Sequence, residues 1–218
     1  MPSYFITGTD TGVGKTWFTA WLVRSWKLQG LDAAALKPIS SGDRDDAAQL
    51  REASGPILSL DEINPVHFRK PAAPLLAARA ENREIDFPAL NLSVTAMSSR
   101  FSHLAVEGVG GWRVPLAPGY EVRDWARDLG LPVVVVALDR LGVLNHTLLT
   151  VESIRAAGLT CAGVVVNAGP GAPSPDLDLV RRDHGLLLGA LLALPVFEFD
   201  RRAEAAGCVP GWLGGKKT

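Results

Sequence analysis

The chain has 218 residues, 47% of them hydrophobic and 21% charged, enough apolar material for one α/β domain with a full core. A formal net charge of −1 leaves no electrostatic footprint for nucleic acid or an anionic membrane surface. Two cysteines, Cys161 and Cys208, exclude a disulfide framework or a cysteine-based metal site and suit a reduced, cytoplasmic chain.

The apolar run from Tyr4 reads as a buried first strand, and it begins too close to the N-terminus to leave room for a signal peptide. A glycine-rich turn follows, and Gly14-Lys15-Thr16 opens a helical pattern over Lys15 to Leu28, stopped at Gln29-Gly30. Strand, glycine turn and helix in that order are the context of a phosphate-binding P-loop. Gly8, Gly12 and Gly14 let backbone N–H groups turn inward toward phosphate oxygens, at the positive end of the helix dipole. Lys15 can reach the β/γ-phosphates and Thr16 can offer its hydroxyl to a cation. The spacing is unusual, because five residues rather than four separate Gly8 from Gly14. Trp17, Trp21 and Trp26 are expected to pack along the first helix.

Asp32 to Leu36 reads as a second strand, expected beside the first, and delivers Lys37-Pro38-Ile39-Ser40-Ser41-Gly42. A lysine there would face the γ-phosphate side and form a two-lysine clamp with Lys15. Asp45 to Ala53 reads as a short helix capped near Gly42-Asp43. Asp46 could supply a carboxylate for a metal, with Asp45 and Asp43 competing for that role. Ser54 to Pro74 is rich in turn residues and reads as a loop, and Leu75 to Glu81 and Pro88 to Ser99 as helices. His103 to Glu107 is an apolar strand ending in an acid, which is costly to bury unless it meets a cation. Behind it, Gly108-Val109-Gly110-Gly111 permits close backbone approach to a ligand.

Val122 to Asp128 reads as a helix, Pro132 to Ala137 as a buried strand, Asn145 to Ala156 as a helix, and Leu159 to Val166 as a strand. Asn167, before Ala168-Gly169-Pro170-Gly171, could read a purine edge or simply serve the turn. Asp176 to Ala193 reads as a helix and Leu194 to Phe199 as a last strand. The longest apolar run, Leu186 to Phe197, is too short to span a bilayer, and Gly211 to Thr218 is too short and glycine-rich for an amphipathic membrane helix. The alternation predicts a single-domain, doubly wound, mostly parallel sheet with helices on both faces, P-loop NTPase-like. The loops starting at Gly8, Lys37, Glu107, Asp139 and Asn167 should then share one edge, where ligands bind. The four histidines show no metal spacing, and no activated nucleophile is evident.

Six ordered stretches carry a resemblance to dethiobiotin synthetases. They are Phe5–Thr16 with its five-residue spacing, Leu36–Gly42, Asn64–Phe68, Val106–Trp112, and Leu141–Thr150 followed by Ala157–Leu159. The resemblance implies an ATP- and Mg²⁺-dependent cyclo-ligase. It would join CO₂ to 7,8-diaminopelargonic acid and close the ureido ring of dethiobiotin through a carbamate and its phosphoric anhydride. It implies that Thr11, Lys15 and Lys37 surround the reacting centre, and that Gly12, Val13, Gly14, Thr16, Val109 and Gly110 line the nucleotide. It further implies that Ser41 holds the diamine or carbamate, that Thr16, Asp46 and Glu107 hold Mg²⁺, and that Asn167 reads adenine. A homodimer is implied too, with the substrate carboxylate bound across the interface at the helix start Gly142, Val143, Leu144 and Asn145. Gly12 departs from the pattern, since some members carry an acid there. Two readings of other classes share the fold: a P-loop switch ATPase of the partitioning or positioning type, and an amidoligase relative. The first usually carries an extra lysine where Thr9 and Asp10 stand here; the second would need a glutamine-hydrolysing domain.

Overall fold

The structure is a computed structural model that describes residues 3–169, 175–200, 204–205 and 207–215, with side chains of 175–182 excepted. The expected turn at Pro170-Gly171 and the end of the Gly211–Thr218 tail therefore lie outside the described residues. Six strands form one parallel sheet: β1 (Ser3–Gly8), β2 (Ala33–Leu36), β5 (His103–Glu107), β8 (Val133–Leu138), β9 (Cys161–Asn167) and β10 (Val196–Phe199), in the spatial order β10-β9-β8-β1-β5-β2. Near-continuous Val and Ala runs suit strands covered on both faces; every residue from Val133 to Ala137 is wholly buried.

The helices α1 (Lys15–Leu28), α2 (Asp45–Ser54), α5 (Phe87–Arg100), α6 (Val122–Leu129), α7 (Val143–Ala156) and α8 (Pro175–Leu192) close those faces, giving the expected α/β fold. Trp26 and Trp21 are buried in the core and Trp17 is half-buried, as the packing reading required. Trp26 Nε1 donates to Leu213 O at 2.9 Å and Tyr4 Oη to Trp212 O at 2.7 Å, so the C-terminal segment seals this side.

Three expectations change. Ser54 to Pro74 is not all loop: it holds α3 (Leu60–Ile63) and β4 (Val66–Phe68), which pairs in parallel with β3 (Ile39–Ser41) as a small separate sheet. A capping box between Ser59 and Glu62 starts α3. A hairpin of β6 (Pro115–Ala117) and β7 (Tyr120–Glu121) also follows the glycine run at 108–111. Finally, β2 is not the neighbour of β1, because β5 lies between them. That insertion matters chemically: it puts the strand ending in Glu107 between the strands leading to Lys15 and Lys37. A short helix α4 (Pro74–Ala80), begun by proline in its first turn, completes the described elements used below.

Candidate active site

Because all six strands of the main sheet run in parallel, their carboxyl ends share one edge, and the loops after β1, β2, β5, β8 and β9 gather there. Register sets the heights: Ile6 lies beside Glu107, Leu36 beside Val106, and Leu138 beside Asn167.

The glycine loop after β1 leads into α1 through Gly14, whose φ of 88° is left-handed and whose missing Cβ leaves room for Asn167. A Cβ on Gly14 would come within 2.1 Å of Asn167 Nδ2. Gly12, also left-handed, faces open space, and Val13 is buried. Thr11 is exposed, its amide tied to Asp10 Oδ1 at 2.7 Å. Its Oγ1 lies 3.5 Å from the point where a Gly110 side chain would begin, so the run at Val109 and Gly110 closes over the P-loop.

Beneath the loop lies a chain of charges. Lys15 is buried, and its Nζ donates to Asp10 O at 3.1 Å. Burial, then the nearby Lys37 charge, lower its pKa from 10.5 to about 8. Thr16 Oγ1 donates to Glu107 Oε1 at 2.7 Å. Lys37 Nζ reaches the same oxygen at 2.6 Å and Asp46 Oδ2 at 2.9 Å. Burial works against the Lys37 ammonium, but Glu107 and Asp46 outweigh it and hold its pKa above the usual lysine value. Burial likewise opposes the Asp46 carboxylate, and Lys37 outweighs that, leaving Asp46 below its ordinary value. Asp45 is exposed, with its amide held by Asp43 Oδ1; of the three aspartates, Asp46 reaches Lys37. The N-cap of α2, which carries Asp45 and Asp46, is Arg44, one to two residues later than the Gly42-Asp43 cap read from sequence.

Among the described residues no group of three or more His, Cys, Asp or Glu side chains stands ready for a metal. A nucleotide-linked Mg²⁺ asks for less, because phosphates and waters fill most of its shell. Glu107 Oε2 is buried with no hydrogen-bond partner among the described residues, and Thr16 and Asp46 offer further oxygen beside it. This hard oxygen set fits Mg²⁺.

Ser41 Oγ is likewise buried without a hydrogen-bond partner among the described residues. Asn167 is buried; its Nδ2 donates to Val13 O at 2.8 Å and its Oδ1 accepts from Gly169 N at 3.0 Å. The amide therefore braces the P-loop, and among the described residues one donor and one acceptor site remain on it. Gly142 is the left-handed N-cap of α7, followed by buried Val143, partly covered Leu144 and exposed Asn145. Arg140 joins this helix start to the P-loop through Asp10 at 3.3 Å. One residue of the site, Asn64, escaped the sequence reading; it holds Lys37 from behind and is taken up below.

A parallel sheet with a lysine-bearing glycine loop at its carboxyl edge defines a P-loop α/β protein that binds a nucleoside triphosphate. Solved structures agree on the fold. A chain of the Aquifex aeolicus MinC:MinD cell division protein complex matches with a TM-score of 0.57 at 15% identity, covering 90% of this chain and 79% of that one. The Pyrococcus furiosus cell division ATPase MinD gives 0.55 at 15% identity, over 95% and 89%. A family model described as an AAA domain matches residues 2–198. The curated relatives are closer. The ATP-dependent dethiobiotin synthetase BioD of Anaeromyxobacter dehalogenans (strain 2CP-C) is 43% identical over 96% of this chain and 97% of its own. That of Akkermansia muciniphila is 45% identical over 77% and 78%. The chain belongs to the ATP-dependent dethiobiotin synthetase family, a family of ATP-dependent enzymes.

Proposed function

We propose that this chain makes dethiobiotin from 7,8-diaminopelargonic acid, CO₂ and ATP. The observation that carries the reading is the meeting of Lys15, Thr16, Lys37, Asp46 and Glu107 under one glycine loop, in a chain of this family.

In the first step one substrate amine attacks CO₂, forms a C–N bond and loses a proton, giving a carbamate. A carbamate oxygen then attacks the γ-phosphorus of ATP. The bond to the β-phosphate oxygen breaks and ADP leaves. The second amine attacks the carbonyl carbon of the resulting carbamic–phosphoric anhydride, loses a proton, expels phosphate and closes the ureido ring. No enzyme nucleophile takes part, so the protein's task is positioning and charge stabilisation.

Lys15 and Lys37 would flank the transferring phosphoryl group and balance its negative oxygens, Lys15 from the P-loop and Lys37 from beyond Glu107. Thr11, at the loop crest, would donate to the same group. Amides of Gly12, Val13 and Gly14 would face the phosphates, with Val109 and Gly110 closing the opposite side. The unpartnered Ser41 hydroxyl would hold the diamine or its carbamate. Thr16, Asp46 and Glu107 would hold Mg²⁺, which when bound would neutralise phosphate charge. Lys37 would then turn from the carboxylates toward the phosphoryl group. Asn167 would offer its remaining donor and acceptor to adenine. The start of α7 at Gly142 to Asn145 would take the substrate carboxylate across a homodimer interface, where free helix amides suit an anion. A cytoplasmic location fits these substrates, and no helix among the described residues is long and apolar enough to cross a membrane.

The test is to incubate the protein with ATP, Mg²⁺, bicarbonate and the diamine and to seek dethiobiotin by mass spectrometry. Product that requires all four supports the reading. ADP release indifferent to the diamine would overturn it in favour of a switch ATPase.

A further inference from the structure

Lys37 directly follows the edge strand β2, and among the described residues no further strand of the main sheet fixes its main chain from outside. Both of its backbone groups are held by the end of α3 instead. Lys37 N donates to Ile63 O at 2.9 Å, and Lys37 O accepts from Asn64 Nδ2 at 2.7 Å. Asn64 itself is 1% exposed. An amide side chain has two donor and two acceptor sites, and here all four have partners. Nδ2 also donates to Val66 O at 3.3 Å, and Oδ1 accepts from Ser40 Oγ at 2.9 Å and from Arg44 Nε at 3.0 Å. Arg44 Nη2 adds a bond to Asn64 O at 3.0 Å.

The partners span the segment that carries the chemistry. Lys37 begins it, Ser40 sits beside Ser41, and Arg44 is the N-cap residue of α2, two residues before Asp46. Arg44 makes no side-chain cap on that helix; its guanidinium is spent on Asn64 and α3. A single buried amide thus sets the separation between the root of Lys37 and the root of Asp46, whose tips meet at 2.9 Å in this structure. A hydrophobic residue could fill the same space but would fix neither direction nor distance.

We propose that Asn64 is a positioning residue for phosphoryl transfer: it holds the Lys37 main chain and the Ser40–Asp46 segment in register, so that the Lys37 ammonium, paired with Glu107 and Asp46 here, turns to the reacting group from a fixed root. Asn64 touches neither nucleotide nor diamine in this proposal and acts through Lys37 and Asp46. The inference rests on the function proposed above.

The test uses the full chain with Asn64→Ala and Asn64→Asp. The second variant keeps acceptors for Ser40 and Arg44, removes the donor to Lys37 O, and carries the test if the alanine variant does not fold. Two quantities are read: kcat and KM for MgATP and the diamine, and the rate at which acetic anhydride acylates each lysine, followed by mass spectrometry. The expected result is a fall in kcat of at least about tenfold with KM for MgATP within about threefold, because the P-loop is braced separately by Asn167. Lys37, shielded in the native chain, should acylate about tenfold faster, with Lys15 and Lys27 unchanged. A kcat within twofold of the native value would overturn the proposal, as would a loss confined to KM for MgATP or a uniform acceleration at every lysine. If the native chain forms no dethiobiotin, the proposed function falls, and the Lys37 acylation rate still decides whether Asn64 holds that lysine.

Discussion

Lys37 Nζ lies 2.6 Å from Glu107 Oε1, and both side chains are shut off from water. Such a pair is nearly neutral as a pair, while either charge alone is expensive: deleting one partner of a buried ion pair costs about 3–5 kcal/mol, whereas replacing both together is often harmless. Lys37→Met should therefore lower the urea midpoint sharply, and Glu107→Gln should lower it too, less so because Asp46 remains to pair with Lys37. The double variant should recover most of the loss. Simple additivity of the two losses would show that they do not act as a pair. Turnover by Lys37→Met should fall about 10²–10³-fold, the scale of a single electrostatic group at a reacting centre. Near-native dethiobiotin formation would remove Lys37 from the chemistry.

Lys15 gives a pH prediction. Its pKa is lowered from 10.5 to about 8, first by burial and then by the Lys37 charge. Between those values the unfolded chain holds a proton that the folded chain lacks, so this group's contribution to stability rises with pH across the window. A penalty of about 3 kcal/mol, present below pH 8, is relieved by pH 10.5. A bound triphosphate reverses the bias, because its oxygens favour the ammonium. ATP binding at pH 9 should therefore take up close to one proton and at pH 7 nearly none, read by calorimetry in two buffers of different ionisation enthalpy. Lys15→Arg, charged throughout, should abolish the uptake. Equal uptake at both pH values would count against Lys15 as the titrating group.

Asn167 can be both brace and base reader, and the two roles separate in one variant. Asn167→Ala strips the partner from Val13 O and from Gly169 N, each loss costing about 1–3 kcal/mol if water does not enter. As a brace alone, it should weaken ATP and GTP binding equally. As an adenine reader, it should also erase most of the preference for ATP over GTP. Competition binding of the two nucleotides to native and variant chains decides between them; an unchanged affinity for both would dismiss both roles.

The P-loop was legible in sequence because its signals are local: an apolar run, glycines, then Lys15 and Thr16 at the start of a helical period. Glu107 was legible for a different reason, as an acid ending an apolar strand must meet something. The place of β2 was not legible, since strand order is a property of the whole sheet. Segment 54–74 was misread because α3 spans four residues and β4 three, too short for either period to register. Its one local mark was the pair Ser59 and Glu62, a capping box three residues apart. The β6–β7 turn likewise carried the Pro118-Gly119 signal. Asn64 lies within the stretch Asn64–Phe68, yet its contacts come from segments that meet only in the folded chain.

The edge strand β2 makes the last prediction. An edge leaves backbone groups without a sheet partner, and a buried one must find another. Here Ala35 N donates to Ser54 Oγ at 3.0 Å, and the same hydroxyl donates to Leu50 O at 2.7 Å. Ser54 is wholly buried at the end of α2, the helix that carries Asp46 at its other end. Ser54→Ala removes the acceptor and leaves the Ala35 amide buried and unpaired, a loss of about 1–3 kcal/mol. Ser54→Cys keeps the shape but accepts weakly and should fall between. Urea midpoints should rank native, cysteine, alanine, with kcat changed less than twofold because the first turn of α2 stays pinned by Arg44 and Asn64. A large fall in kcat at unchanged stability would mean that α2 transmits strain along its length to Asp46, and that Asn64 does not isolate the site from the edge.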